Sequence, residues 1–387
     1  MGNVKPSNII YMIDGLGLGG AERLMIPLLA NLDRQAFLPR VCVFQVRDGN
    51  PIAADLKALG VPVDLLPIPR LRDLSALPRL LRYLRETQAH LVHTQLEFAN
   101  ILGSLAARGA RLPSVCTVHT IPSQEDMKAK TRLHQDVEFF CLRNFCDMVI
   151  SVSEEADRFH KQVGRLSPRK TTTLYNGIDL ARFTADSQRA DPQAVRRELG
   201  IPAAAPLLIT VAVLRELKGI QFMIQAMPAI LARQPEARYL VVGDGDHRAQ
   251  LVEEVRRLGL ESRVIFAGAR KDIPALMPAA DIFVLPTLTE ALPTVLAEAM
   301  AARLPIVASC VGGVPEMVAD GANGRLLEPG DPRLLAETCL ELLARPEVRA
   351  AMGAQGRSIV EQKFDVRVQA GHLRALYQRL MESHAKR

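Results

Sequence analysis

Residues 285–316 read LPTLTEALPTVLAEAMAARLPIVASCVGGVPE, and the punctuation of this stretch sets the fold of the chain. The apolar run Ile282 to Leu285 has the length of a buried strand and stops at Pro286. After a short loop the spacing predicts a helix from about Pro293 to Ala302. A second apolar run follows at Ile306 to Ala308, then a Gly312-Gly313 turn. Strand–loop–helix–strand is the unit of a parallel sheet, whose ligands sit outside the carboxyl ends of its strands. Glu290 falls in the loop and Glu298 about a turn and a half into the helix. Pro293 suits the first helical turn, where its missing N–H would have had no intrahelical partner. The free N–H groups of Thr294 and Val295 then point above the sheet, and that end of the helix dipole favours a phosphate.

Two acids beside a phosphate-ready helix start repel one another unless each has its own work. The arrangement makes sense if the acids hold hydroxyls of a sugar or ribose while the helix start holds a diphosphate. Glu290 and Glu298 are separated by seven residues, with Leu292-Pro293 between them and GGVPE downstream. This pattern resembles the donor-site signature of the retaining GT-B glycosyltransferases of family 4.

The rest of the composition is consistent with an ordinary globular protein. At 387 residues the chain exceeds one typical core, and two domains are the natural split. With 48% apolar and 23% charged residues, disorder is not expected. No run of about 18 apolar residues is present to cross a bilayer. MGNVKPSNIIYMID goes from a polar lead straight into a strand, without the pattern of a secretory leader or a myristoylation signal. Cys42, Cys116, Cys141, Cys146, Cys310 and Cys339 are scattered with no CxxC, so they read as small buried hydrophobes in a reducing cytosol. Residues 1–170 hold 22 Lys and Arg against 17 Asp and Glu, which places +5 of the net +6 in the amino-terminal half. Aromatics at 4% and the lack of a dense basic run argue against nucleic acid. Contact with anionic lipid headgroups or an acidic acceptor fits the excess better, beside the plainer reading of a solvated surface.

Strand–helix alternation runs through the chain. Asn8 to Ile13 is the first strand, followed by Asp14-Gly15-Leu16-Gly17-Leu18-Gly19-Gly20-Ala21-Glu22 and a helix to about Leu32. A dinucleotide reading of these glycines lacks an acidic partner at the end of the next strand, Arg40 to Val46. Gly19-Gly20-Ala21-Glu22 resembles instead the GGAE loop of the same glycosyltransferases, where glycines let backbone approach the donor. The other reading is a tight strand-to-helix turn. Further strands are expected near Val61–Leu66, Leu91–Thr94, Ser114–Val118, Met148–Val152 and Thr171–Tyr175, with helices between them, one beginning at Lys128. In the Ser75–Thr87 helix, Leu77, Leu80, Leu81 and Leu84 form one face and Arg79, Arg82 and Arg85 stay off it. That pattern fits a sheet-covering helix or a membrane-surface one. His119, in VHTIP, follows a strand; the resemblance places a histidine there, over the donor sugar. Ser153 is placed to cap the next helix.

Asn176-Gly177-Ile178-Asp179 with Phe183 resembles the family's NGID…F crossover, and Thr184 to Pro206 reads as a linker with a short helix. Lys218-Gly219, after the strand Leu207–Val213, resembles the diphosphate-binding lysine. Relatives carry Gly-Arg where this chain has Ala212-Val213, and Arg215 could reach the same oxygens. Gly243-Asp244-Gly245-Asp246 contains DGD, a metal-binding acid pair in another glycosyltransferase fold. Here, between a strand and a helix, Asp246 reads as a helix cap. Gly268-Ala269-Arg270 resembles the turn that meets the nucleotide base, and the helix from Asp365 to Ser383 is expected to cross back onto the first domain.

The resemblance implies an α/β chain of GT-B type, two Rossmann-like doubly wound domains facing across a cleft. Residues 1–180 would form an acceptor-side domain, 181–364 a nucleotide-sugar donor domain, and 365–387 the returning helix. The implied donor site comprises Gly19, Gly20, Arg215, Lys218, Gly268, Arg270, Glu290, Ala291 (where relatives have Gly), Leu292, Pro293, Thr294, Val295 and Glu298. His119, Glu290 and Lys218 would serve catalysis. The implied activity is hexosyl transfer with retention, from a UDP- or GDP-sugar to a glycan or glycolipid in polysaccharide or cell-envelope synthesis. No metal or cofactor is implied, and the expected location is cytoplasmic, with contact to the inner face of a membrane. An epimerase of the same architecture and a non-catalytic scaffold are the competing readings.

Overall fold

The computed structural model describes residues 5–17, 19–47, 49–119 and 129–386, with side chains from 132 onward in the last segment. Leu18 of the glycine loop, Thr120 to Pro122 after His119, and Lys128 as a helix start lie outside the described residues. Two compact units divide the chain: Met1–Gly177 with Val366–Arg387, and Ile178–Asp365.

The first unit holds seven parallel strands: β1 (Ser7–Ile13), β2 (Phe37–Val43), β3 (Val63–Leu65), β4 (Leu91–Gln95), β5 (Ser114–Val118), β6 (Met148–Ser151) and β7 (Thr171–Thr173). Their order is β3-β2-β1-β4-β5-β6-β7. Residues of β4 and β5 are buried throughout, as expected for parallel strands covered on both faces. Strand β2 begins at Phe37, before the expected Arg40, and so contains Pro39. A proline is tolerated there because β3 pairs with β2 only from Val41 onward, which leaves position 39 on an edge.

The helix Val366–Ala385 belongs to this unit and buries Val366, Ala370, Leu373, Leu376 and Tyr377, a helical spacing that makes one apolar stripe. The stripe packs among Tyr11, Phe37 and Leu29. Tyr377 stands edge-on to Phe37, centroids 5.6 Å apart, and its hydroxyl lies 2.8 Å from that of Tyr11.

The second unit has six parallel strands: β8 (Leu207–Val211), β9 (Arg238–Val242), β10 (Val264–Gly268), β11 (Ile282–Leu285), β12 (Ile306–Ser309) and β13 (Gly324–Leu327). Their order is β10-β9-β8-β11-β12-β13. In both sheets the order reverses beside the first strand, at β1/β4 and β8/β11, and such a reversal opens a crevice at the carboxyl ends.

Residues 184–206 are not a linker. Helices Leu180–Arg189 and Pro192–Glu198 fill most of this span, capped by the side chains of Asp179 and Asp191, and both pack on the second unit. The DSQR and DPQ segments read as polar loop because only single positions face inward, among them Phe183 and Val195. Passage between units falls at Gly177, whose N–H donates to Gln369 Oε1 of the first unit at 3.0 Å. The N–H of Ile178 donates instead to the Phe364 carbonyl at 2.9 Å, in the second unit. Five of the cysteines are buried as expected; Cys310, just past β12, is exposed. No helix among the described residues is long and apolar enough to cross a membrane.

Candidate functional site

The loops after β8, β9, β11 and β12 lock together at the carboxyl edge of the second sheet. Leu214 N–H donates to the Asp244 carbonyl at 3.0 Å, and His247 N–H returns to the Leu214 carbonyl at 2.9 Å. On the other side, Leu288 N–H donates to the Leu217 carbonyl at 2.8 Å. The hydroxyl of buried Thr287 lies 3.0 Å from the carbonyls of both Leu217 and Thr289. Gly219 ends the turn Glu216–Lys218 at φ +66, where a Cβ would sit 1.8 Å from the Pro286 carbonyl oxygen. Gly312, at φ +51, passes the Glu290 backbone as tightly: a Cβ there would lie 1.7 Å from the Glu290 carbonyl oxygen. Only glycine combines that approach with a left-handed backbone.

This clamp fixes Lys218 and Glu290 opposite one another, and Lys218 Nζ forms an ion pair with Glu290 Oε1. Their side chains are 24% and 14% exposed, so the pair is sheltered yet reachable. Ala291, Leu292 and Pro293 carry the chain from Glu290 to the helix Thr294–Ala301. Pro293 stands one position before the helix, extended at φ −77 and ψ 101, and not within its first turn. Leu296 N–H turns back to the Pro293 carbonyl at 2.9 Å, while the N–H groups of Thr294 and Val295 have no acceptor among the described residues. Glu298 lies one turn beyond Thr294, on the same face of that helix and half-buried.

Arg215 is exposed in the same β8 loop, with no side-chain partner among the described residues, and Val213 beside it is 52% exposed. Gly268 ends β10, its carbonyl accepting from Gly243 N–H at 2.8 Å. The Arg270 guanidinium is held by both oxygens of Asp272 and by Glu198 Oε1 at 2.6 to 2.8 Å, so what Arg270 offers a ligand is its backbone. Asp246 caps nothing: the helix Arg248–Arg257 starts after His247 without a side-chain cap, and Asp244 Oδ1 accepts from Gly245 N–H at 2.9 Å. Among the described residues no cluster of metal-ligating side chains occurs.

In the first unit His119 follows β5, partly buried, with Nε2 3.0 Å from Gln95 Oε1 at the end of β4. With the amide so oriented, Nε2 carries the proton and Nδ1 keeps a lone pair. Burial pulls the His119 pKa down to about 4, so the ring is neutral near pH 7. Beneath it is a small cavity lined by His93, Gln95, Thr117, Asn176 and Gln369. His93 bridges Thr117 Oγ1 (2.7 Å) and the Tyr377 hydroxyl. Gly19 stands just before the helix Gly20–Ala30, with the Glu22 carboxylate folded against it, and Gly20 faces open space. Gln95, Thr117, His93 and Thr287 were not singled out from the sequence. The polar tail of the strand LVHTQ was the available signal for the first unit.

Two family models match, one on each unit: Glycosyltransferase Family 4 on residues 18–182 and Glycosyl transferases group 1 on residues 191–359. The chain belongs to the family 4 glycosyltransferases, with the GT-B fold. Similar proteins include the D-inositol 3-phosphate glycosyltransferase of Corynebacterium efficiens, 31% identical over 281 residues, which are 68% of this chain and 65% of that protein. Another is the N-acetyl-alpha-D-glucosaminyl L-malate synthase of Bacillus anthracis, 32% identical over 192 residues, half of this chain and 49% of that one. The chain thus spans about half of one relative's length and just under two thirds of the other's. Among solved structures, Anabaena HepE in complex with UDP superposes with a TM-score of 0.83 at 26% identity, covering 96% of this chain and 99% of that one.

Proposed function

We propose that this chain is a retaining glycosyltransferase that moves a sugar from a nucleotide-diphosphate sugar, with UDP or GDP as the base-bearing part, to a glycan or glycolipid acceptor. The observation that carries the reading is the Lys218–Glu290 pair at the β8/β11 reversal, followed a few residues on by a helix start whose Thr294 and Val295 N–H groups have no acceptor among the described residues. Cleavage of the anomeric C–O bond leaves negative charge on the diphosphate. Lys218, Arg215 and the helix start are fitted to stabilise it. Glu290 accepts hydroxyls of the sugar, Glu298 those of the ribose, and the backbone at Gly268–Arg270 meets the base. The acceptor oxygen forms the new bond to the anomeric carbon as the bond to the diphosphate oxygen breaks, and its proton passes to the departing phosphate, with retention following from the family resemblance. His119, neutral near pH 7, is assigned to the transferred sugar on the same ground, as are Gly19 and Gly20. Positive charge at the diphosphate comes from the protein's own groups, so chelator is expected to leave transfer unchanged.

Related proteins support the donor class: Anabaena HepE is known in complexes with UDP, with UDP and glucose, and with UDP-glucose. Exposed Leu133, Val137 and Phe140 form a stripe along the helix Ala129–Phe145, which supports peripheral contact with a membrane bearing a lipid-linked acceptor. A non-catalytic scaffold is the second reading, favoured only by the exposed Val213, where the family resemblance leads one to expect arginine. A thermal-shift panel of UDP-, GDP- and ADP-sugars separates the two. One donor is expected to raise the melting temperature by several degrees and to be slowly hydrolysed to nucleoside diphosphate and free sugar. No shift and no hydrolysis across the panel would leave the scaffold standing.

A further inference from the structure

Each half of the Lys218–Glu290 ion pair has only the other as a side-chain partner among the described residues, and the backbone on both sides is clamped. Gly219 is pressed against Pro286 and Gly312 against Glu290, so the pair parts by side-chain rotation and not by a loop shift. Glu290 is the more sheltered of the two, its side chain 14% exposed. A diphosphate that draws Lys218 away leaves this carboxylate in a low-dielectric setting without its cation, which is unfavourable. An intact donor brings sugar hydroxyls that can donate to the same oxygens; a nucleoside diphosphate alone brings none.

We infer that the Lys218–Glu290 pair sets a preference for the intact donor over the nucleoside diphosphate product, by making Glu290 compete with the product for Lys218. The inference rests on the donor reading above and gives it a consequence of its own. The product leaves because Glu290 reclaims the lysine, and the donor stays because its sugar replaces the lysine at Glu290.

The test is a calorimetric double-mutant cycle with the preferred nucleotide sugar and its nucleoside diphosphate, on wild type, Glu290→Gln, Lys218→Met and the double variant. Glu290→Gln is expected to bind the diphosphate about fivefold more tightly than wild type while binding the nucleotide sugar no better. Removing a negative charge near a diphosphate also relieves simple repulsion, so the Lys218→Met background is decisive. Competition for the lysine predicts that the gain shrinks there to less than about twofold. Equal gains with and without Lys218, or no gain at all, would overturn the inference while leaving the donor reading intact. Failure of wild type to bind any nucleotide would overturn both. Glu290→Ser serves as the second charge-removing variant if the glutamine form does not fold.

Discussion

At the scale of single residues, the site depends on positions where a missing atom matters as much as a charge. Gly312 has no room for a methyl group, since its Cβ would stand 1.7 Å from the Glu290 carbonyl oxygen. Gly312→Ala must therefore displace Glu290 or unwind the turn after β12, in addition to the roughly 1 kcal/mol that a left-handed conformation costs a non-glycine residue. The expected outcome is a melting temperature lowered by a few degrees and loss of the donor-induced thermal shift. A variant that melts lower yet keeps the full shift would show that Glu290 need not be clamped. Charge placement was legible at this scale: Glu290 and a helix start near Pro293 are marked by local punctuation, and Lys218 by the family resemblance of Lys218-Gly219. Their pairing was not, because Lys218 and Glu290 are 72 residues apart and only the sheet brings them together. The same holds for Arg270: its guanidinium is taken up by Asp272, two residues on, and by Glu198, 72 residues away, a pairing that no local pattern announces.

At the scale of elements, strand–helix alternation was readable almost throughout, since buried parallel strands are short apolar runs and their covering helices carry one apolar face. Boundaries failed where tertiary context decides. Pro39 stays inside β2 because its neighbour β3 is short, and 180–198 is helical because its caps and a few inward residues suffice. The helix Val366–Ala385 was expected to return to the first domain, but its anchoring was not foreseen. Tyr377 reaches Tyr11 across 366 positions and His93 across 284. Tyr377→Phe keeps the ring and removes the hydroxyl that both partners share, leaving His93 with one fewer partner in a buried setting. It is expected to lower the stability of the first unit by about 1–3 kcal/mol. Urea unfolding followed from that unit checks this, with nucleotide binding expected unchanged. No loss of stability would mean that the stripe of Leu373 and Leu376 alone seats the helix.

At the scale of the whole molecule, the first unit holds buried acids and histidines whose pH dependences oppose each other. Burial pulls His93 to about 3 and His119 and His160 to about 4, so their contribution is full above the ordinary histidine range and is lost as pH falls. Burial pushes Asp14 up to about 6 from 3.8, despite hydrogen bonds from the Ala99 and Phe98 N–H groups. Its contribution runs the other way: full below the unfolded value and lost as pH rises through about 6. Asp14→Asn removes that titration. Between pH 4.5 and 7, wild type is therefore expected to lose about 2 kcal/mol of stability relative to Asp14→Asn. A constant difference between the two proteins over that range would show Asp14 ionised throughout. The Lys218–Glu290 pair on which the donor proposal rests lies in the other unit, and its test is independent of this balance. Calorimetric titration of the preferred nucleotide sugar into wild type and Lys218→Ala is the most direct measurement. A donor site at Lys218 predicts saturable binding to wild type and affinity at least about tenfold weaker in the variant, since a charge-assisted contact to phosphate is lost. Equal affinity in both proteins, or no binding to either, would contradict it.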